Sequence, residues 1–237
     1  MVREAVDVRW AAFNITAAFE GGGYHSYQNH DSGVVSYGRF QFTLASGSLY
    51  AVLERYIAAA VSETAAALRD RYLPRVRDRD AGLRDDEDFR HLLDAAADDP
   101  AMQAAQDGVA REKYWDLVQG LSILPRNIQT ALGQALIFDM AINHGPRHDM
   151  IGLAEKALGV PSKSRMPENG VQETTLIRKV AQIRQERMAR LAEKWRLPGL
   201  KQRGDFWVAL VEAGDWDLQG DAEGMIEVKP GRRVRVR

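Results

Sequence analysis

The sequence contains no cysteine, which excludes disulfide bonds, thiolate catalysis and zinc sites built on cysteine ligands. Neither sign of charge is in excess, with 32 Lys+Arg against 33 Asp+Glu, so nucleic-acid binding driven by phosphate neutralisation is not expected. No apolar run approaches the length of a membrane span, and residues 1–10 lack the basic-then-apolar pattern of a secretory signal. We therefore expect neither a nucleic acid nor a membrane as a partner, and the compartment stays open.

The first part of the chain combines a helix with a short stretch of strand. The whole chain, at 237 residues, is long enough for one large domain or for two lobes that share a cleft. Apolar residues at helical spacing predict a first helix that begins near Val6 and runs into Glu20. It should end at the glycines 21–23, because glycine accepts the left-handed backbone found at helix ends. Residues 34–43 are the only convincing strand sequence.

The later parts of the chain add helices and a basic end. Proline at a first helical position predicts helix starts at Asp99-Pro100 and at Leu124-Pro125, the second helix running to His144. Another helix is predicted from about Glu173 to Trp195. We predict a mainly α fold with a small β region (α+β), in which residues 1–228 form one domain with a β-containing lobe at about 20–48. A basic tail or linker is predicted at 229–237.

Two charged residues occupy apolar helix faces. Asp139 lies in the middle of the apolar stripe of the helix that ends at His144, and Arg184 lies at the centre of the stripe on the helix 173–195. A buried charge without a partner is strongly destabilising. We therefore predict that Asp139 and Arg184 pair where their helices pack, with Arg203 as a third member. The alternative is that one of them lines a cleft filled with solvent.

The segment 20–43 differs in composition from the rest of the chain and carries the candidate chemistry. Glu20 ends a helix beside the aromatic residues Phe19 and Tyr24, and such surroundings favour the protonated carboxyl that a proton donor needs. Asp31 precedes a polar turn open to water, where a carboxylate is ionised, and the Ser36 hydroxyl is placed to hold a water against it. A protonated acid and a carboxylate on the far side are the groups that glycosidic cleavage needs.

This segment resembles the chitosanases of glycoside hydrolase family 46, which are related to the phage lysozymes. That family carries a helix-ending Glu, a loop, Asp-x4-Thr, a strand with glycine and phenylalanine, and a turn of small residues. The corresponding residues here are Glu20, Asp31-x4-Ser36, Gly38, Phe42-Thr43 and Ser46-Gly47-Ser48. The resemblance extends to AQDGVAREKYW (105–115), LGQALIFDMAINHGP (132–146), QETT (172–175) and VEAGDWDL (211–218), with gaps at 60–98 and after 219.

The resemblance implies a two-lobed, lysozyme-like fold with the active-site cleft between the lobes, and an endo-acting enzyme that cleaves β-1,4 bonds of an amino-sugar polysaccharide. It implies Glu20 as general acid, Asp31 as the base that activates water, and Ser36 as the residue that holds this water. Residues expected to bind substrate or to support the cleft are Tyr24, Tyr37, Arg39, Gln41, Ser48, Asp139, His144, Arg184 and Arg203. No cofactor or metal is implied. The polysaccharide is the expected partner, the chain is expected to be a monomer, and a secreted or cell-wall location is expected although no signal peptide is visible.

Departures from the family bear on the substrate. Ser36 replaces a threonine and keeps the hydroxyl, and the loop between the two carboxylates is nearer to the phage-lysozyme length. A family carboxylate that binds a free glucosamine amine corresponds to Ser48 and Leu49, and a second one corresponds to Leu191, with Glu193 as the nearest substitute. These losses favour a neutral, partly acetylated or otherwise modified amino sugar over fully deacetylated chitosan. A peptidoglycan hydrolase is the main alternative.

Two other classes of protein stay open at this point. A metal hydrolase would use the loop histidines His25 and His30, or His144 and His148. However, Gly145-Pro146 separates the last two, so they cannot occupy successive turns of one zinc-binding helix. A sugar-binding module without catalysis would use the same aromatic residues, but the intact acid, base and hydroxyl favour an enzyme.

Overall fold

The computed structural model describes residues 6–21 and 23–237. Gly22, one of the glycines predicted to end the first helix, and residues 1–5, the start of the predicted domain and of the segment inspected for a signal, lie outside the described residues. The chain forms two compact units. The continuous unit is Glu20–Lys113, and the discontinuous unit combines Met1–Phe19 with Tyr114–Arg237. The lobe predicted at 20–48 is thus the first part of a larger unit.

Helices make up most of both units, and the predicted mainly α fold with a small β region is confirmed. The discontinuous unit opens with α1 (Val8–Phe19). The continuous unit contains α2 (Ser48–Ala59), α3 (Glu63–Ala67), α4 (Leu73–Arg77), α5 (Glu87–Ala96) and α6 (Pro100–Ala110), with a π-helical turn at Leu68–Tyr72 and a 3-10 helix at Ala81–Asp85. The chain continues with α7 (Asp116–Val118), α8 (Leu124–Arg126), α9 (Ala131–His144), α10 (Met150–Ala157), α11 (Glu173–Trp195) and α12 (Pro198–Ala213), with π-helical turns at Arg111–Trp115 and Gln119–Ile123. No helix among the described residues is long and apolar enough to cross a membrane.

A small antiparallel sheet lies in the continuous unit. Its strands are β1 (Tyr27–Gln28), β2 (Ser36–Tyr37) and β3 (Phe42–Thr43), in the order β1-β2-β3. Ser36 in the central strand lies opposite Gln28 on one side and Thr43 on the other. The strand sequence predicted at 34–43 therefore supplies two short strands of this sheet.

Side-chain caps set the starts of α5 and α6. Asp86 Oδ1 accepts the Phe89 N–H at 3.0 Å at the start of α5. Asp99 Oδ1 accepts the Ala101 N–H at 2.8 Å, directly before Pro100. Such caps satisfy N–H groups that have no partner inside their helix. The predicted helix start at Asp99-Pro100 is confirmed, as are both ends of the helix Glu173–Trp195.

The helix predicted to run from Leu124-Pro125 to His144 is wrong at its start. Leu124 begins a single turn, after which Asn127 adopts a left-handed backbone with φ of 60° that a continuous helix does not permit. The long helix α9 begins after Thr130, whose hydroxyl accepts the Gly133 N–H at 3.1 Å.

The basic tail predicted at 229–237 is also different in the structure. It contains the strand β5 (Arg232–Arg235), which pairs antiparallel with β4 (Met225–Lys229). Ile226, Val228 and Val236 are buried, and the hairpin packs on α1. The alternation of apolar with polar residues explains the hairpin, because successive residues of a strand point to opposite faces.

Each unit has its own core. In the continuous unit α2 packs against α6 and buries Leu49, Leu53 and Tyr56. In the discontinuous unit α11 packs against α12 and α1 packs against α9, where the Phe13 and Phe138 rings stack at 4.7 Å. The packing of α1 fixes the helix whose end leads into Glu20.

Candidate active site

The two candidate carboxylates both belong to the continuous unit. Glu20 directly follows the last residue of α1 and is half-buried. The next residue, Gly21, has φ of 102°, and a Cβ there would lie 2.6 Å from Ser26 Oγ. Only glycine fits this turn, so the end of the first helix is set as predicted. Ser26 Oγ also donates to the Glu20 backbone carbonyl at 3.4 Å.

The Asp31 carboxylate is held by donors from its own loop. Ser36 Oγ donates to both of its oxygens, at 3.1 and 3.3 Å. The Gly33 N–H donates to Oδ1 at 2.8 Å. Ser36 is fully buried in β2, whereas Asp31, like Glu20, is half-buried. The hydroxyl predicted to hold a water against Asp31 thus contacts the carboxylate itself and fixes its orientation.

Gly33 is required for this arrangement. A Cβ at this position would lie 2.7 Å from Ser36 Oγ, 2.9 Å from Asp31 Oδ1 and 2.9 Å from the Thr43 methyl group. Ordinary Cβ contacts are much longer, so any side chain here would push the hydroxyl away from the carboxylate. Gly33 was not among the site residues predicted from the sequence.

Tyr24 and Arg39 form a cluster with Asp107 of α6. The Arg39 guanidinium pairs with the Asp107 carboxylate at 2.8 Å and lies 5.4 Å from the centre of the Tyr24 ring. The Tyr24 hydroxyl donates to Asp107 at 3.0 Å. Burial raises the pKa of Tyr24, so this hydroxyl stays protonated. Asp107 neutralises the charge of Arg39, so we assign Arg39 a structural role: it ties the loop that carries the catalytic candidates to α6.

Gln106 of α6 binds the backbone of the same loop at two points. Its buried side-chain oxygen accepts the Arg39 N–H at 2.8 Å, and its amide nitrogen donates to the Tyr24 carbonyl at 3.2 Å. Gly38 has φ of 80°, and a Cβ there would overlap the Gln106 amide at 2.3 Å. Gln106 and Asp107 lie in the AQDG stretch that resembles the family, which was the available signal for them.

Tyr37, Gln41 and Ser48, the remaining predicted site residues of the continuous unit, form hydrogen bonds that stabilise its fold. Tyr37 is fully buried, its hydroxyl donates to the Leu93 carbonyl at 2.7 Å, and burial raises its pKa. The Gln41 side chain bonds to Gln28 and donates to the Gly38 carbonyl at 3.2 Å. Ser48 is buried, and its hydroxyl accepts the Thr43 N–H at 2.8 Å.

The predicted ion cluster forms in the core of the discontinuous unit. Arg184 of α11 pairs with Asp139 of α9, and Arg203 of α12 donates to both Asp139 oxygens at 2.7 and 3.1 Å. All three residues are buried. Burial alone would raise the pKa of Asp139, but the charges of Arg203 and Arg184 hold it well below its usual range. The predicted pairing is confirmed.

Trp207 is a member of this cluster that sequence reasoning missed. Its indole nitrogen donates to Asp139 Oδ2 at 2.9 Å. A tryptophan on an apolar helix face gives no sign that its N–H will be used. The cluster also reaches the end of α1, because the Arg203 guanidinium lies 5.1 Å from the centre of the Phe19 ring, directly before Glu20.

His25 and His144, two of the candidate metal ligands, have different surroundings. His25 contacts Asp94 at 3.0 Å and Asp98 at 2.9 Å, and these hydrogen bonds raise its pKa. His144 is the last residue of α9, where burial and the charge of Arg184 lower its pKa to about 4, so the ring is neutral near pH 7. Over residues 6–21 and 23–237, no group of three histidine, aspartate or glutamate side chains could hold a metal ion.

Comparison with known proteins connects this site to an enzyme family. The sequence profile of glycosyl hydrolase family 46 matches residues 16–220. The native chitosanase from Bacillus subtilis MY002 has a similar structure, with 22% identity, a TM-score of 0.75 and 98% of each chain covered. A mutant of that chitosanase complexed with 6 GlcN is 19% identical, with a TM-score of 0.75, 99% of this chain and 100% of the other covered.

A second organism supplies a similar structure. The chitosanase of Gynuella sunshinyii in complex with chitotetraose is 20% identical, with a TM-score of 0.76, and the alignment covers 99% of this chain and 100% of the other. At these identities the likeness shows a shared fold. No curated protein sequence matches this chain.

Proposed function

Because the chain belongs to glycosyl hydrolase family 46, it is a glycoside hydrolase, and we propose that it cleaves internal β-1,4 bonds of an amino-sugar polysaccharide, chitosan or a related glycan. The family resemblance seen in the sequence is confirmed. Two similar structures are chitosanases complexed with 6 GlcN or chitotetraose, which supports an amino-sugar polymer as substrate. The proposed catalytic domain spans 1–228 and acts as a monomer, since both candidate carboxylates belong to the continuous unit of one chain.

In the proposed reaction Glu20 donates its proton to the glycosidic oxygen as the bond from that oxygen to the anomeric carbon breaks. Asp31 accepts a proton from a water whose oxygen bonds to the same carbon from the opposite face. The observation that carries this assignment is the Asp31 carboxylate, fixed by Ser36 and Gly33 and only half-buried. A base in fixed orientation with access to solvent suits activation of water, so the configuration at the anomeric carbon inverts.

The substrate proposal includes acetylated sugars. Ser48 stands where the family has a carboxylate for a free amine, and its buried hydroxyl closes the turn with Thr43. The proposed enzyme therefore has less attraction for the fully cationic polymer, because charge complementarity contributes to recognition of a charged substrate.

Two substitutions test the assignment of acid and base. Glu20→Gln keeps the shape of the side chain and removes the transferable proton, and Asp31→Asn removes the proton acceptor. Each should lower kcat on partly acetylated chitosan by about 10²–10⁴-fold. The controls are Glu168→Gln and Asp78→Asn, which change exposed carboxylates of surface ion pairs and should leave turnover unchanged.

The same experiment reports the stereochemistry and the substrate class. Proton NMR of the first product should show the anomer opposite to that of the cleaved linkage. Near-normal turnover by Glu20→Gln, or retention of the anomer, would overturn the mechanism. If the enzyme cleaves peptidoglycan and no chitosan, Glu20 and Asp31 would instead be the catalytic residues of a peptidoglycan hydrolase.

A further inference from the structure

The loop that carries Asp31 is held by Arg84, which lies 53 residues further along the chain. Arg84 Nη2 donates to the Asp31 backbone carbonyl at 3.1 Å. Asn29 Nδ2 donates to the Arg84 backbone carbonyl at 2.8 Å. One residue thus binds the loop on both sides of His30, through its side chain and through its backbone. Arg84 lies within 60–98, where no family segment was recognised in the sequence, although the family profile spans these residues.

The turn that presents Arg84 is itself firmly held. Arg84 belongs to the 3-10 helix Ala81–Asp85. The Arg75 guanidinium of α4 donates to Asp80 at 2.7 Å before this helix and to Asp86 at 2.7 Å after it. Asp80 also caps the helix through the Gly82 N–H at 2.8 Å. Leu83, next to Arg84, is fully buried. The 3-10 helix is therefore a fixed point against which a loop can be positioned.

The loop needs such a fixed point. After the two-residue strand β1 the chain turns through residues 29–35 before β2 begins. Ser36 and Gly33 fix the Asp31 carboxylate, whereas the Arg84 bond fixes its backbone. Catalytic groups held within fractions of an ångström react much faster than loosely placed ones.

From these contacts we infer that Arg84 is the positioning residue of the catalytic base, acting through the Asp31 backbone and requiring no contact with the sugar. The inference rests on the proposed role of Asp31. It assigns a function in catalysis to residues 81–85, for which the sequence predicted none.

The test compares Arg84→Ala in two backgrounds. In the wild-type chain, Arg84→Ala should lower kcat on chitosan by roughly 10–100-fold, with KM changed by less than about twofold. Arg84→Lys should restore part of the rate, because an ammonium also donates to a carbonyl. In the Asp31→Asn background, Arg84→Ala should cause no further loss of the residual rate, since the base it positions is already absent.

Controls separate this effect from a general loss of structure. Arg69→Ala removes an exposed arginine paired with Asp70 and should leave kcat and Tm unchanged. Asn29→Ala removes the second bond and keeps Arg84, so it should reproduce a milder loss of kcat if Arg84→Ala does not fold. Wild-type kcat in both Arg84→Ala and Asn29→Ala overturns the inference. The inference is also overturned if Arg84→Ala lowers kcat in the Asp31→Asn background by the same factor as in the wild-type chain. Near-normal turnover by Asp31→Asn alone would instead overturn the proposed function.

Discussion

Replacing Asp139 by alanine should be the most destabilising single change in the ion cluster. The Asp139 carboxylate accepts hydrogen bonds from Arg184, twice from Arg203, and from Trp207, all of them buried. Removing it leaves two guanidinium groups in the core without the charge that neutralises them. Breaking a buried pair in this way costs about 3–5 kcal/mol, and two stranded cations place this site near the upper end.

The expected loss of folding free energy corresponds to a decrease in Tm. For a chain of this size, 1 kcal/mol corresponds to about 2–4 °C in Tm, so Asp139→Ala should melt about 10–20 °C below wild type. Calorimetry and urea unfolding measure it. Glu168→Ala, which removes one partner of an exposed ion pair with Arg165, is the matched control and should change stability by less than about 1 kcal/mol.

A double substitution and a pH series test the electrostatic cause. Asp139→Ala combined with Arg184→Met should recover part of the loss, because one stranded charge is gone. The folded chain lowers the pKa of Asp139 from its ordinary value of 3.8, so the contribution of the carboxylate is fully present above about pH 4 and is lost as the pH falls towards the lowered pKa. Wild type should lose stability on acidification more steeply than Asp139→Ala. A single variant that melts within about 2 °C of wild type would refute the reasoning.

Two further predictions concern the site and its substrate. Gly33→Ala should lower kcat by roughly 10–100-fold with little change in Tm, because its Cβ would force the Ser36 hydroxyl away from Asp31; Gly152→Ala, in α10 with nothing within 4 Å of its Cβ, is the control, and full activity of Gly33→Ala would contradict the geometry. On chitosans of graded acetylation, the partly acetylated polymers should be cleaved at least as fast as the fully deacetylated one, and a rate that falls steeply with acetylation would show that other carboxylates bind the free amines.

The ion cluster shows what periodicity alone can predict. Asp139 and Arg184 each interrupt a long apolar stripe, and a buried charge requires a partner, so their pairing followed from the sequence. The fourth member of the cluster, Trp207, could not be predicted, because a tryptophan in an apolar stripe fits the core whether or not its N–H is bonded.

Other features depend on tertiary structure or on overlooked local signals. Arg84 is 53 residues from Asp31, and no pattern in the sequence links the two. The requirement for glycine at 33 arises from three side chains that meet only in the folded loop. The hairpin at 225–235 did have a signal, since Pro230-Gly231 separates two alternating segments. The basic residues of the second segment favoured a solvated tail, although its alternate positions are apolar.

The C-terminal hairpin has a consequence for the order in which the molecule is completed during translation. The continuous unit is made from one uninterrupted stretch of chain, whereas α1 belongs to a unit whose remaining residues begin at Tyr114. The strands that cover α1, β4 and β5, leave the ribosome roughly 200 residues after α1 does, which at cellular rates takes about 10–40 s. For that interval the apolar face of α1 lacks its final cover. The helix that leads into Glu20 is thus made well before the strands that complete its enclosure.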